Sequence, residues 1–391
     1  MAIRCEALNC AAFARMKEIY DDRKAVLSGW RSSGKKVVCV LGYDVPEEII
    51  LAAGMLPFRV TGFYGGARKS AEQYLEYSFG AIWKGIWETV TEDCAGLMDY
   101  AVFSGSSDMF LKLFYYLRAL QRLEPERPLP ELKYLDFELT EKKFKTQERN
   151  ERELADLMDV LERWGGEKIS DVALKDSIAL CSEYRGALRE FSALRKSSDC
   201  RVTGSEALVV IGASMYMEKA EAIAAVKEVT EAAKHWPAVE LAPVYYVGSP
   251  QEITEVYELA EAAGINFVGE DHDMGDRMFD ADVRTDIAPV SALAQRLLDR
   301  MPSSEKGSIA GRVKAIGEKL EETGAAALLT YMNNNDESYV WDYPSIRAKV
   351  LEPRGIPSAT VQKQTWPLTD VEGLKAQFAA LAAEAKEAHH G

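Results

Sequence analysis

Residues 35–62 read KKVVCVLGYDVPEEIILAAGMLPFRVTG. Lys35–Leu41 is a short, continuous apolar run entered through Gly34, the pattern of a strand buried on both faces. Pro46 then stands where a first helical turn tolerates it, and Glu47 and Glu48 follow beside the positive helix end. A helix over Pro46–Ala53 closes at Gly54, a suitable C-terminal cap. Leu56–Val60 is the next strand. Strand, helix, strand over so short a stretch predicts parallel pairing, and the rest of the chain repeats it.

Working outward, Asp99–Phe103 (DYAVF) is a third strand, followed by Ser104-Gly105-Ser106-Ser107-Asp108 and a helix through Leu120. Leu132–Phe137 is the fourth. From about Thr140 to Lys234 apolar residues recur at helical spacing, as in Leu154, Leu157, Met158 and Leu161. A second alternating unit starts at Val239. Its strands are Val239–Val247, Ile265–Val268, Ala326–Tyr331 and Ser358–Gln362. Its helices are Pro250–Ala263, Ala288–Arg300, Ser308–Glu322, Pro344–Pro353 and a last one over Thr369–Ala388. The fold class is therefore α/β: two doubly wound, parallel-sheet lobes of Rossmann- or flavodoxin-like type, joined by a helical segment. The expected division is residues 1–139, 140–235 and 236–391.

At 391 residues the chain exceeds one ordinary core. Its 47% hydrophobic and 28% charged content is that of a soluble globular protein. A formal charge of −15 repels phosphate backbones and sets nucleic acid aside as a partner. No run of about 18 apolar residues is present, which argues against a membrane span. The start, Met1-Ala2-Ile3-Arg4-Cys5-Glu6, has no long apolar signal core and points to the cytoplasm. Cys5, Cys10, Cys39, Cys94, Cys181 and Cys200 are scattered without a CxxC pair, which disfavours a zinc ribbon and a disulfide framework.

In open α/β sheets ligands gather at the carboxyl ends of strands. Four polar loops qualify: Gly42–Glu48, Ser104–Asp108, Glu270–Arg277 and Asn333–Asp342. In the first, Tyr43 lines either a capped turn or a crevice wall, and Arg59 nearby is either a ligand for phosphate or carboxylate or a surface arginine. In the second, Ser104, Ser106 and Asp108 are helix caps or part of an anion site, and Ser107 is a candidate catalytic group. The third packs carboxylates around His272, the best single proton-transfer candidate, with Asp273 beside it and Arg277 available to acids or ligand. In the fourth, Asn333-Asn334-Asn335-Asp336 makes a tight turn or a hydrogen-bonding rim.

The stretch Gly42–Gly62 resembles the N-terminal signature of the 2-hydroxyacyl-CoA dehydratase / benzoyl-CoA reductase family. Taken in order, the serine loop, the helical insert, the acidic turn and Asp342-Tyr343-Pro344 are similar to the family's later landmarks. The family's cysteine positions differ. A Thr-Cys-Asp-like turn corresponds to Ser106-Ser107-Asp108, and a Leu-Pro-x-x-x-Cys-Pro-like segment to Tyr74–Gly80. The cysteine of the acidic turn falls near Asp273 or Met274, and that of a Cys-Asp pair near Asn335 or Asp336. The resemblance implies a heteromeric lyase or acyl-CoA reductase of anaerobic metabolism. It also implies an acyl-CoA ligand, a homologous cysteine-bearing partner subunit with a [4Fe–4S] cluster, and a separate ATP-dependent iron–sulfur electron donor. Oxygen groups in place of thiolates imply no cofactor and no metal in this chain. From the residues alone two other readings stand: a non-redox binding or assembly protein on the same scaffold, and an enzyme using His272, Asp273 and Asp336 as acid–base or metal groups.

Overall fold

The computed structural model describes residues 3–62, 68–139, 144–336 and 338–390. Thr140, where the helical stretch was expected to begin, and Glu337 of the fourth loop lie outside the described residues. Among the described residues eight strands form two four-stranded sheets, each parallel throughout.

The first sheet holds β1 (Val37–Leu41), β2 (Leu56–Arg59), β3 (Tyr100–Ser104) and β4 (Glu131–Leu135), in the order β2-β1-β3-β4. All five residues of β1 are buried, as a central parallel strand requires. One face, carrying Val38, Val40, Val102 and Leu135, packs with Leu154, Leu157 and Leu161 of the helix Phe144–Arg163 and with Leu293 and Leu297 of the helix Pro289–Asp299. On the other face Phe103 meets Phe114 of the helix Asp108–Leu123, and Phe58 meets Trp30. Helices on both faces make this lobe doubly wound.

The second sheet holds β5 (Ala242–Gly248), β6 (Ile265–Asp271), β7 (Ala327–Asn333) and β8 (Ser358–Gln364), in the order β6-β5-β7-β8. Tyr245, Val247, Val268 and Leu328 pack with Ile316 and Leu320 of the helix Ile309–Thr323. Tyr246 lies on the opposite face among Tyr257, Phe267 and Tyr331.

Two compact units result. One is Asp22–Tyr184 with Ala281–Arg300; the other is Met1–Asp21, Arg185–Asp280 and Met301–Gly391. The helical stretch is thus shared between the units instead of standing as a third. The physical reason is that each helix buries its stripe on the nearest sheet: Leu154 and Leu161 join the first core, whereas the fully buried helix Gly204–Ser214 contacts β6.

Several boundaries moved: β5 starts at Ala242 instead of Val239, β6 runs on through Glu270 and Asp271, which were expected in the third loop, and two helix starts shift further. The segment 249–254 is loop, and the helix begins at Glu255. The helix expected to open at Pro344 starts at Ser338 and carries Pro344 inside it. Proline withdraws one backbone donor there, and the next turn, Arg347–Leu351, widens to i→i+5 bonding. Among the described residues no helix is long and apolar enough to cross a membrane.

Candidate functional site

Both sheets share one strand order, in which the first and third strands of each lobe lie side by side and their connections leave in opposite directions. Such a switch point opens a crevice at the carboxyl edge. In the first lobe the loops concerned follow β1 and β3; in the second they follow β5 and β7.

In the first lobe, Gly42 leaves β1 with φ +120°. A Cβ there would stand 1.9 Å from Ser104 Oγ and 2.8 Å from Ser106 Oγ, so only glycine lets the two loops approach. Ser104 Oγ donates to Ser106 Oγ at 3.2 Å. Ser107 caps the helix Asp108–Leu123, its hydroxyl accepting from Met109 N at 3.2 Å. Asp108 is exposed in the first turn. Tyr43 is buried; its carbonyl accepts from Arg300 Nη1 at 2.5 Å, and that guanidinium lies 4.7 Å from the Tyr43 ring centroid. Arg59 ends β2, buried, and its Nε has no hydrogen-bond partner among the described residues.

Between these groups sits Asp44. It is 2% exposed, and among the described residues neither carboxylate oxygen has a hydrogen-bond partner. Burial pushes its pKa up, while the Ser104 hydroxyl and the Arg300 and Arg59 guanidiniums pull it back. Tyr134, on β4, is pushed up to about 12 by burial and by Asp136, Asp44 and Asp108. Tyr43, Arg59, Ser106 and Ser107 therefore share one edge. Ser104, read from the sequence as a helix cap, belongs with them, as do Asp44 and Arg300, which were not singled out. Asp44 stood in plain view inside the signature loop. Arg300 is brought in from far along the chain and left no local signal.

In the second lobe, Gly248 ends β5 with φ +149°, and a Cβ would stand 1.9 Å from the Tyr331 carbonyl oxygen. Ser249 Oγ donates to Asp336 Oδ2 at 2.5 Å and accepts from Asn333 N at 2.9 Å; Ser338 Oγ donates to Asp336 Oδ1 at 3.1 Å. Asn335 adopts φ +66°, the left-handed geometry that asparagine tolerates in a turn. Burial raises the Asp336 pKa and the two serine hydroxyls lower it. Asn335 and Asp336 thus lie at this lobe's switch. Ser249 was missed because its loop had been read as helix.

His272, Asp273 and Arg277 follow β6, the edge strand. His272 is fully buried. Its Nδ1 accepts from Met274 N at 3.2 Å, which places the proton on Nε2, 2.8 Å from Tyr257 Oη. Burial, with Arg195 and Arg277 nearby, lowers its pKa to about 3 against the pull of Asp271. Arg277 pairs with Asp271 Oδ1 at 2.6 Å and donates to the carbonyls of Met301 and Pro302 at 2.8 and 2.9 Å. Arg312 bonds Asp271, the Pro302 carbonyl and Asp342. Arg195 bonds Glu270 and Asp276, each at 2.5 Å, and Ser192 at 2.9 Å. Asp273 is half-buried. This loop is a buried ion-pair block anchoring β6, with Asp342 of the Asp-Tyr-Pro triplet inside it.

The thiolate-held cluster implied by the resemblance needs cysteines at these edges. Cys39 lies within β1, and burial raises its pKa well above the usual thiol range. Cys94 is pushed up to about 12 and Cys200 to about 11, burial leading in both. Cys181 is buried, while Cys10 is half-buried and Cys5 exposed on the N-terminal segment. The described edge residues offer hydroxyl, carboxylate and amide oxygens, a donor set that does not fit an iron–sulfur cluster. Among the described residues no group of three or more His, Cys, Asp or Glu is arranged to hold a metal ion.

Residues 43–382 match the family profile described as 2-hydroxyglutaryl-CoA dehydratase, D-component. The chain is 24% identical over 360 residues to the (R)-phenyllactyl-CoA dehydratase beta subunit of Clostridium sporogenes, covering 90% of this chain and 92% of that one. It is 24% identical over 366 residues to the lactoyl-CoA dehydratase subunit beta of Anaerotignum propionicum, covering 90% and 93%. Against the (R)-2-hydroxyglutaryl-CoA dehydratase subunit beta of Acidaminococcus fermentans it is 20% identical over 361 residues, covering 90% and 93%. With two parallel-sheet lobes and a match running through both of them, the chain belongs to the 2-hydroxyglutaryl-CoA dehydratase D-component family.

Proposed function

We propose that this chain is a cluster-free subunit of a 2-hydroxyacyl-CoA dehydratase-like or benzoyl-CoA reductase-like system. It works beside a homologous, cysteine-bearing subunit that holds the [4Fe–4S] cluster and is served by an ATP-dependent iron–sulfur electron donor. The observation that carries the reading is the pairing of a family match over residues 43–382 with oxygen groups at the switch edges. In this reading the chain binds and orients. The Ser107-capped helix end, Ser106, Tyr43 and Arg59 present hydroxyls, peptide N–H groups and a guanidinium to an acyl-CoA thioester, and Asn335 and Asp336 form the corresponding rim of the second lobe. His272 stays a neutral imidazole in the β6 loop, and Arg277 holds that loop to the Met301–Pro302 backbone.

The test is anaerobic co-expression with a homologous subunit that carries the cysteines, one of the two tagged. The reading expects a stoichiometric complex that eliminates water from, or reduces, an acyl-CoA when the electron donor and ATP are added. A chain that stays alone and leaves the partner's turnover unchanged overturns it. That outcome favours the runner-up, a non-redox binding or assembly protein on the same scaffold.

A further inference from the structure

Two ionisable side chains at the carboxyl edge of the first sheet are buried without a partner. Arg59 is 5% exposed and Asp44 2%. Among the described residues neither makes an ion pair, and Arg59 Nε and both Asp44 carboxyl oxygens make no hydrogen bond. They are neighbours all the same, because Arg59, Arg300 and the Ser104 hydroxyl all act on Asp44.

The two groups answer burial differently. A carboxylate sheds its charge by taking up a proton, and burial drives Asp44 that way. A guanidinium keeps its charge, so a buried and unpaired one calls for an anion. The surroundings of Arg59 suit an anion. Arg300 brings a second guanidinium, held by the Tyr43 carbonyl at 2.5 Å. Ser107 caps the 16-residue helix Asp108–Leu123, whose N-terminus carries positive partial charge. Ser106 accepts from Ser104 Oγ at 3.2 Å, which leaves its own hydroxyl proton for a ligand. The other titratable groups around Asp44 are Tyr134 on β4, a neutral phenol pushed up to about 12, the exposed Asp108, and Glu47 and Glu48 at the start of the next helix.

We propose that this edge binds a compact oxyanion, with Arg59 Nε and the Ser106 hydroxyl donating to it and Asp44 donating to it as a carboxylic acid. The oxyanion is a phosphate-type or a carboxylate group, and the experiment separates the two. The inference rests on reading this edge as a ligand site. Its test uses the chain alone, so a failure to assemble with a partner subunit leaves it standing, and a failure to bind ions leaves the assembly test standing.

Titration calorimetry of the full chain, at constant ionic strength in chloride, uses sulfate and formate, one tetrahedral and one planar. Both keep their charge between pH 5 and pH 8. The expected result is saturable binding of at least one of them at pH 5, weakened about threefold or more at pH 8 as Asp44 ionises. Sulfate alone assigns a phosphate-type group, formate alone a carboxylate, and both an oxyanion of either shape. Arg59→Gln should weaken binding about tenfold or more, the loss of a charge-assisted hydrogen bond. Asp44→Asn keeps a donor and cannot ionise, so it should bind more tightly than the unsubstituted chain at pH 8 and lose the pH dependence. Melting curves confirm that each variant is folded, and should Arg59→Gln fail to fold, Asp44→Asn and the pH series decide. No saturable binding of either ion at pH 5, affinity that does not fall by pH 8, weaker binding in folded Asp44→Asn at pH 8, or unchanged affinity in folded Arg59→Gln overturns the proposal.

Discussion

Replacing Arg195 by Met tests the buried charge block behind β6. Arg195 is fully buried, and its guanidinium donates to Glu270, Asp276 and Ser192. Methionine fills much of the volume but leaves two acids without their cation. Breaking a buried pair from one side costs about 3–5 kcal/mol, because the orphaned charge stays desolvated. Against a typical total of about 5–15 kcal/mol that is about a fifth of the stability or more. In urea, with a slope of about 2–3 kcal/mol per M, the midpoint should fall by about 1–2.5 M, followed by circular dichroism.

The loss should also depend on pH. Burial, with the nearby Asp276 carboxylate, raises the Glu270 pKa to about 7 despite Arg195. Between the ordinary carboxylate range and pH 7 the folded state then holds more protons than the unfolded one, so this group's contribution falls as pH rises through that window. Without Arg195 the charged form is costlier still, so the variant should lose less at pH 5 than at pH 8. Adding Glu270→Gln should recover part of the loss at pH 8. A loss below about 1 kcal/mol at pH 8, or no recovery, refutes the reasoning.

Gly248→Ala places a Cβ 1.9 Å from a backbone carbonyl, where nothing flexible yields; about 3 kcal/mol or more should be lost, or soluble expression should fail, measured by denaturation or yield. His272, held near pKa 3 by burial, should show no imidazole titration between pH 5 and 8 in proton NMR, and a midpoint near 6.5 would remove the buried-neutral assignment. Arg277→Ala should cost about 3 kcal/mol of stability by orphaning Asp271 on that side, and a folded variant of unchanged midpoint would contradict the ion-pair role.

Both sheets were legible in the sequence because parallel strands buried on two faces are runs of apolar residues, as Val37–Leu41 shows, and because Gly42, Gly54 and Pro46 punctuate them. The loop after β5 was not, because Pro250 followed by acidic residues mimics a helix start. The unit boundaries were hidden for a different reason. Helical periodicity reports that a stripe is buried and is silent on which sheet buries it, so residues 281–300 and 1–21 were assigned by neighbourhood in the chain. Candidate residues that sit at strand ends, as Tyr43, Ser107 and Asp336 do, could be placed at an edge from the sequence because the strands before them were legible. The sequence was least informative for His272 and Arg277. A histidine among carboxylates looks like acid–base chemistry, and only the fold reveals that Tyr257, Asp271 and a peptide N–H enclose it.

Iron and acid-labile sulfide analysis tests the central claim most directly. The chain is purified under argon, alone and with a cysteine-bearing homologue, and both preparations are assayed. The account predicts iron near zero for the chain alone, and about four irons in the complex that stay with the partner when the subunits are separated. About four irons per chain on the isolated protein, with the brown absorption of a thiolate-bound cluster, would contradict it.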